Sequence, residues 1–213
     1  MQRQLSPTDR FLASLNRGLS TLAQRREGSV RANPAATRSD APLDDGSRRH
    51  IAGLMRINHA GEVAAQALYH GQALVARDPA LREHLLAAAG EERDHLRWCE
   101  ERLRELGERP SRLEPVWYAG SLAIGAAAAL AGDRWSLGFV DETEQQVAEH
   151  LGEHLQQLPD ADQRSRAILE QMRSDEERHG AEARAAGARE LPSPVKTLMR
   201  QAARVMKFGA YRI

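Results

Sequence analysis

The chain is poor in the features that would point to most functional classes. A single cysteine, Cys99, among 213 residues excludes an internal disulfide and suits a reducing compartment. The 30 basic residues are balanced by 30 acidic ones, which leaves no global field to attract nucleic acid. Aromatic residues make up only 4%, too few for a base-stacking surface. No segment combines the basic start, apolar centre and small-residue cleavage site of a secretion signal, so the chain is expected on the cytoplasmic side. The longest uncharged apolar run, residues 116–131 (VWYAGSLAIGAAAALA), falls short of the roughly twenty residues that span a bilayer. No Gly-x-Gly-x-x-Gly run follows a strand, so a built-in nucleotide domain is not expected.

What is abundant is Ala, Leu, Glu and Arg, the composition of a helical protein. Apolar spacing predicts helices over residues 47–77, 79–106, 133–158 and 160–186, with Pro79, Gly107 and Pro159 as punctuation. Residues 1–47 read as a preamble to one domain, residues 48–213. The preamble opens with a short helix after Leu5-Ser6-Pro7-Thr8-Asp9, carrying Phe11, Leu12, Leu15, Leu19 and Leu22 at helical spacing. A mobile linker is expected from 28 to 46, where Pro34, Pro42 and small polar residues collect.

The chemistry lies in two echoing stretches, Glu91-Glu92-Arg93-Asp94-His95 and Glu176-Glu177-Arg178-His179. Each holds a Glu three residues before a His, so carboxylate and imidazole share one helix face. With 19 Glu and 8 His, roughly 0.7 such pairs arise by chance, so one pair means little. The arrangement means more. Glu62 precedes Glu92 by 30 residues and Glu144 precedes Glu176 by 32, so one hairpin pattern is used twice. One Glu from each of two helices, with Glu-x-x-His from each of two others, is the di-metal carboxylate pattern of a four-helix bundle. Four glutamates balance two divalent cations, so the set can be buried at low electrostatic cost. Mixed carboxylate and imidazole ligands suit iron or manganese.

Both ligand pairs fall on stripes that are otherwise apolar. Glu92 and His95 align with Leu81, Leu85, Ala88, Cys99 and Leu103; Glu176 and His179 align with Ile168, Leu169 and Met172; Glu144 aligns with Val140, Val147, Ala148 and Leu151. Glu91, Arg93 and Asp94 fall off the stripe and are expected in solvent. Glu142 points about 200° from Glu144 and is no ligand. His59 and His70 read as ordinary surface or core residues, His150 and His154 as solvent-facing or supporting ones, and Cys99 as packing. Asp141 and Asp175 are candidates to orient a metal-bound imidazole. Residues 116–131 are either a closely packed buried helix or an apolar wall facing lipid. The segment after Pro194 places Val195, Leu198, Met199, Ala202, Val205, Met206 and Phe208 at helical spacing, with Lys196, Arg200, Arg204 and Lys207 mostly elsewhere. Such a basic amphipathic helix either caps the bundle or lies in a lipid interface.

With these residues in view, the chain resembles the di-iron demethoxyubiquinone hydroxylases of ubiquinone biosynthesis. The resemblance rests on Arg56-Ile57-Asn58-His59-Ala60-Gly61-Glu62, Glu91 to Leu96, the Glu144 helix, Asp175 to Gly180 and the closing Val205-Met206-Lys207-Phe208 … Tyr211-Arg212-Ile213. It implies an all-α, ferritin-like four-helix bundle, with an extra apolar helix and a C-terminal amphipathic helix. It implies two iron ions held by Glu62, Glu92, His95, Glu144, Glu176 and His179. The activity implied is O₂-dependent hydroxylation of a demethoxy polyprenyl benzoquinol ring, with electrons from NADH or a reductase. The place implied is the cytoplasmic face of the bacterial cell membrane, as a peripheral protein within reach of a ubiquinone-biosynthesis complex. Glu-x-x-His pairs alone are shared with ferritins and rubrerythrins, so an iron-binding or peroxidase protein is the competing expectation.

Overall fold

The computed structural model describes residues 7–22, 31–39 and 42–213. Among these residues there are seven helices and no strand: α1 (Pro7–Leu22), α2 (Asp45–Val75), α3 (Pro79–Glu105), α4 (Glu114–Leu130), α5 (Asp133–Gln157), α6 (Gln163–Ala185) and α7 (Ser193–Arg212). Each boundary has a local cause. Asp44 caps α2 by accepting from Gly46 and Ser47 N–H, and Asp78 caps α3 ahead of Pro79. At the far ends of α3 and α6, Gly107 (φ 76°) and Gly187 (φ 93°) adopt the left-handed conformation that closes a helix. The two hairpins thus end alike.

α2 pairs with α3 and α5 with α6; α3 then meets α6 and α2 meets α5, which closes a ferritin-like four-helix bundle. Apolar clusters occupy both ends of its interior. One contains Ile51, Met55, Trp98, Leu103, Ile168 and Met172; the other contains Tyr69, Leu81, Leu85, Leu137 and Val140. Each fully buried Leu or Ile in them contributes about 1.5–3 kcal/mol. Cys99 belongs to the first cluster, its Sγ 3.7 Å from Met172 Sδ, and burial pushes its thiol pKa up.

α4 is neither wholly buried nor a free wall. One face, with Tyr118, Gly125 and Ala129, lies tightly on α2. A Cβ on Gly71 would sit 2.2 Å from the Leu122 carbonyl oxygen, and one on Gly125 would sit 2.3 Å from that of Leu68, so only glycine permits this approach. The other face leaves Val116, Ile124 and Leu130 exposed. α7 is likewise divided. It docks on α2 and α5 through Tyr211 against Gly53 and through Lys196 and Arg200, which lie 3.2 and 3.5 Å from Glu142, while Leu198, Val205 and Phe208 stay about two-thirds exposed. Among the described residues, no helix is long and apolar enough to cross a membrane.

α1 falls where the short N-terminal helix is predicted, and packs on α2 and α4. The side chains of Phe11, Leu15, Leu19 and Leu22 lie outside the described residues, as do positions 28–30 and 40–41 of the expected linker. Between them, residues 31–39 lie against the bundle. Asn33 donates to Glu101 at 2.7 Å, Arg164 donates to the Arg38 carbonyl, and Ala35 is buried in the first apolar cluster.

Candidate metal centre

Midway along the bundle, between the two apolar clusters, four helices turn polar side chains inward. α2 supplies Glu62, α3 Glu92 and His95, α5 Glu144, and α6 Glu176 and His179; all six are buried. Their ligand atoms form two overlapping groups, each within 4.8 Å: Glu62, Glu92, His95 and Glu176, and then Glu144, Glu176 and His179. Both imidazoles aim Nδ1 at the centre. His95 Nδ1 lies 3.0 Å from Glu92 and 3.3 Å from Glu62, with Glu176 Oε1 at 3.2 Å. His179 Nδ1 lies 3.1 Å from Glu176 Oε2 and 3.6 Å from Glu92 Oε1. Glu92 and Glu176 therefore each direct one oxygen to either imidazole. Glu62 stands on the His95 side, and Glu144 on the His179 side.

This arrangement fits a pair of cations. One oxygen each of Glu92, Glu144 and Glu176 is buried without a hydrogen bond, a costly condition unless a cation completes it. Burial, with Glu92 and Glu176 nearby, drives the Glu62 carboxyl pKa well above its usual value, and Glu144 is raised for the same reasons. Burial would lower both histidines, but contacts with surrounding carboxylates prevail: His95 is held well above its ordinary value, and His179 is raised to about 9. The Tyr69 hydroxyl donates to Glu144, and its own pKa is pushed well up by burial and by that carboxylate.

Each imidazole is held from behind through Nε2. Asp175, a predicted orienting residue, lies 3.0 Å from His95 Nε2. Asp141, the other, instead pairs with Arg184 and accepts from Gln145. The carboxylate behind His179 is Glu91, at 3.3 Å, itself paired with Arg178. Glu91 is half-exposed, and the signal for it was present: it precedes Glu92 as Asp175 precedes Glu176. Asp94, expected in solvent, is buried, because the Arg31 backbone N–H and Arg97 cover it at 3.4 and 3.8 Å. His150 and His154 are also buried rather than solvent-facing, because α7 and α2 cover that side of α5; His154 Nδ1 lies 2.8 Å from Asn58 Oδ1. His59 and His70 are core residues beside Glu114 and Tyr118 of α4. A cavity of about 400 Å³ opens between α5 and α6, lined by Glu144, Ala148, Glu176 and Gly180 inside and by the more exposed Arg173 and Arg184.

A ferritin-like bundle that gathers four buried glutamates and two buried histidines from both hairpins is a helical protein whose core could hold metal. Residues 49–209 match the family described as Ubiquinone biosynthesis protein COQ7, and the chain belongs to that family. Among similar proteins, one from Xanthomonas oryzae pv. oryzae named 3-demethoxyubiquinol 3-hydroxylase is 58% identical over 98% of this chain and 95% of its own length. A protein of the same name from Cupriavidus taiwanensis is 63% identical over 87% of this chain and 90% of its own.

Proposed function

We propose that this chain is an O₂-dependent hydroxylase that acts on the ring of a demethoxy polyprenyl benzoquinol, 2-polyprenyl-3-methyl-6-methoxy-1,4-benzoquinol, in ubiquinone biosynthesis. Two iron ions would be held by Glu62, Glu92, His95, Glu144, Glu176 and His179. The observation that carries the reading is the two overlapping ligand groups, which use all six residues and share Glu176. The name of the similar proteins supports the substrate. Bound iron would supply the electron transfer that reduces O₂. Overall, the ring, O₂, two electrons and two protons become the hydroxylated ring and one water, with NADH or a reductase as the electron source.

The chain's own residues perform the remaining tasks. Glu92 and Glu176, which each face both imidazoles, would hold metal together with Glu62 on the His95 side and Glu144 on the His179 side. Asp175 and Glu91 keep Nδ1 of His95 and His179 turned inward, where each imidazole would have to be neutral to hold metal. Tyr69 fixes one oxygen of Glu144 and leaves the other for the metal. The apolar clusters close the core at both ends, which leaves the opening between α5 and α6 as the way in. We further propose that the exposed apolar faces of α4 and α7, the latter flanked by Lys and Arg, rest on the cytoplasmic face of the cell membrane, where a polyprenyl tail remains in lipid while its ring enters.

The test is the quinone profile of a strain lacking this chain. Accumulation of the quinone short of one methoxy group is expected, reversed by the wild type and not by Glu92→Ala. A normal profile would sink the reading and favour the iron-binding or peroxidase alternative.

A further inference from the structure

The two hairpins support their imidazoles by the same cross-bundle plan, but one half lacks a part. In the second half, Arg178, two residues after Glu176, pairs with Glu91, which lies behind His179. The equivalent position two residues after Glu92 is Asp94, which cannot pair with Asp175. The missing guanidinium comes from outside the bundle. Arg31 Nη1 lies 2.7 Å from Asp175 Oδ2, the same oxygen that lies 3.0 Å from His95 Nε2. Its guanidinium also stands 5.0 Å from the centre of the Trp98 ring, whose other neighbour at 5.3 Å is the His95 ring. Asp94 serves the same end, accepting from the Arg31 backbone N–H at 3.4 Å, while Arg97 donates to the Arg31 carbonyl. Arg178 approaches Asp175 only at 3.8 Å, on the other oxygen. Arg31 precedes the residues that match the family, so the ligand pattern alone does not predict it.

We infer that Arg31 is a positioning residue for the metal centre, seating Asp175 against His95 so that segment 31–39 completes the outer shell of one ion. This rests on the metal reading above. A carboxylate that faces both an imidazole N–H and a fixed guanidinium has one orientation, and the imidazole it holds is set in angle and basicity.

The test uses the full chain loaded with cobalt(II), with affinity measured by chelator competition and ligand geometry by the visible absorption bands. The wild type should bind two equivalents. Arg31→Gln should weaken binding at one of them by about 10-fold and shift its bands, an effect typical of outer-shell partners. Arg31→Lys, which restores the charge, should recover to within about threefold of wild type. Asn33→Ala, which loosens the same segment at Glu101 without touching Asp175, should stay within about twofold. Arg31→Gln matching wild type in affinity and bands, or Asn33→Ala reproducing its loss, would overturn the inference. Absence of cobalt binding by the wild type would instead overturn the metal reading itself.

Discussion

The first hairpin, α2–α3, and the second, α5–α6, carry the same ligands at nearly the same spacing but stand in different surroundings. His95 is sealed: its ring is fully buried, its supporting Asp175 is almost fully buried, and Arg31 lies over that support. His179 is supported by the half-exposed Glu91, and its neighbours Glu144 and Glu176 line the cavity that opens between α5 and α6. Duplicated ligands therefore do not make equivalent sites. Spacing along a helix sets which side chains meet the cation, while whatever packs outside sets how firmly each is held and how readily water reaches it.

The largest effect should come from the residues the two halves share. Glu176→Ala should remove about two metal equivalents, whereas Glu62→Ala and Glu144→Ala should each remove about one, as judged by metal analysis of purified protein. Equal losses in all three would mean that no carboxylate is shared. A smaller contrast should appear one layer out. Asp175→Asn should lower metal affinity by about 10–100-fold, and Glu91→Gln by less than about 10-fold, since water can replace an exposed carboxylate and not a buried one. The reverse order would show that the open side is the more demanding.

The remaining effect concerns imidazoles outside the centre, where burial prevails over any neighbouring carboxylate and the shift is downward. His70 and His154 are lowered to about 3 and His150 to about 4, mainly because burial disfavours the cation. The sign follows from the ordinary value near 6.5 in the unfolded chain. Between about pH 6.5 and 3 the unfolded chain takes protons that the folded one refuses, so stabilisation present above that window is lost as pH falls. His70→Gln should make the decline of urea-unfolding free energy with falling pH shallower, by up to about 1.4 kcal/mol per pH unit. An unchanged slope would place His70 in contact with water.

Much of this was legible in the chain. The Glu-x-x-His echo and the nearly equal hairpin spacing picked out the six residues that the bundle gathers, because a side chain's face follows from a helix's period. Helix ends agreed closely for the same reason that Asp78-Pro79 and Gly107 are local signals. Angle alone separated Glu142 from Glu144, and the partners of Glu142 are Lys196 and Arg200 of α7. Less legible was anything requiring knowledge of the neighbouring helix: the burial of Asp94, the support of His179 by Glu91, and the docking of His154 on Asn58.

The sequence by itself determined the helices, their punctuation, the two ligand hairpins and an apolar stripe on each, all of which depend on spacing within one helix. The tertiary structure alone decided that Glu92 and Glu176 lie between the two imidazoles, that α4 and α7 each keep one apolar face uncovered, and that Arg31 reaches Asp175 across 144 residues. The physical reason is range. A helical period is encoded in neighbours three and four apart, whereas contacts between helices depend on crossing geometry and on glycines such as Gly71 and Gly125, which set how closely two backbones approach.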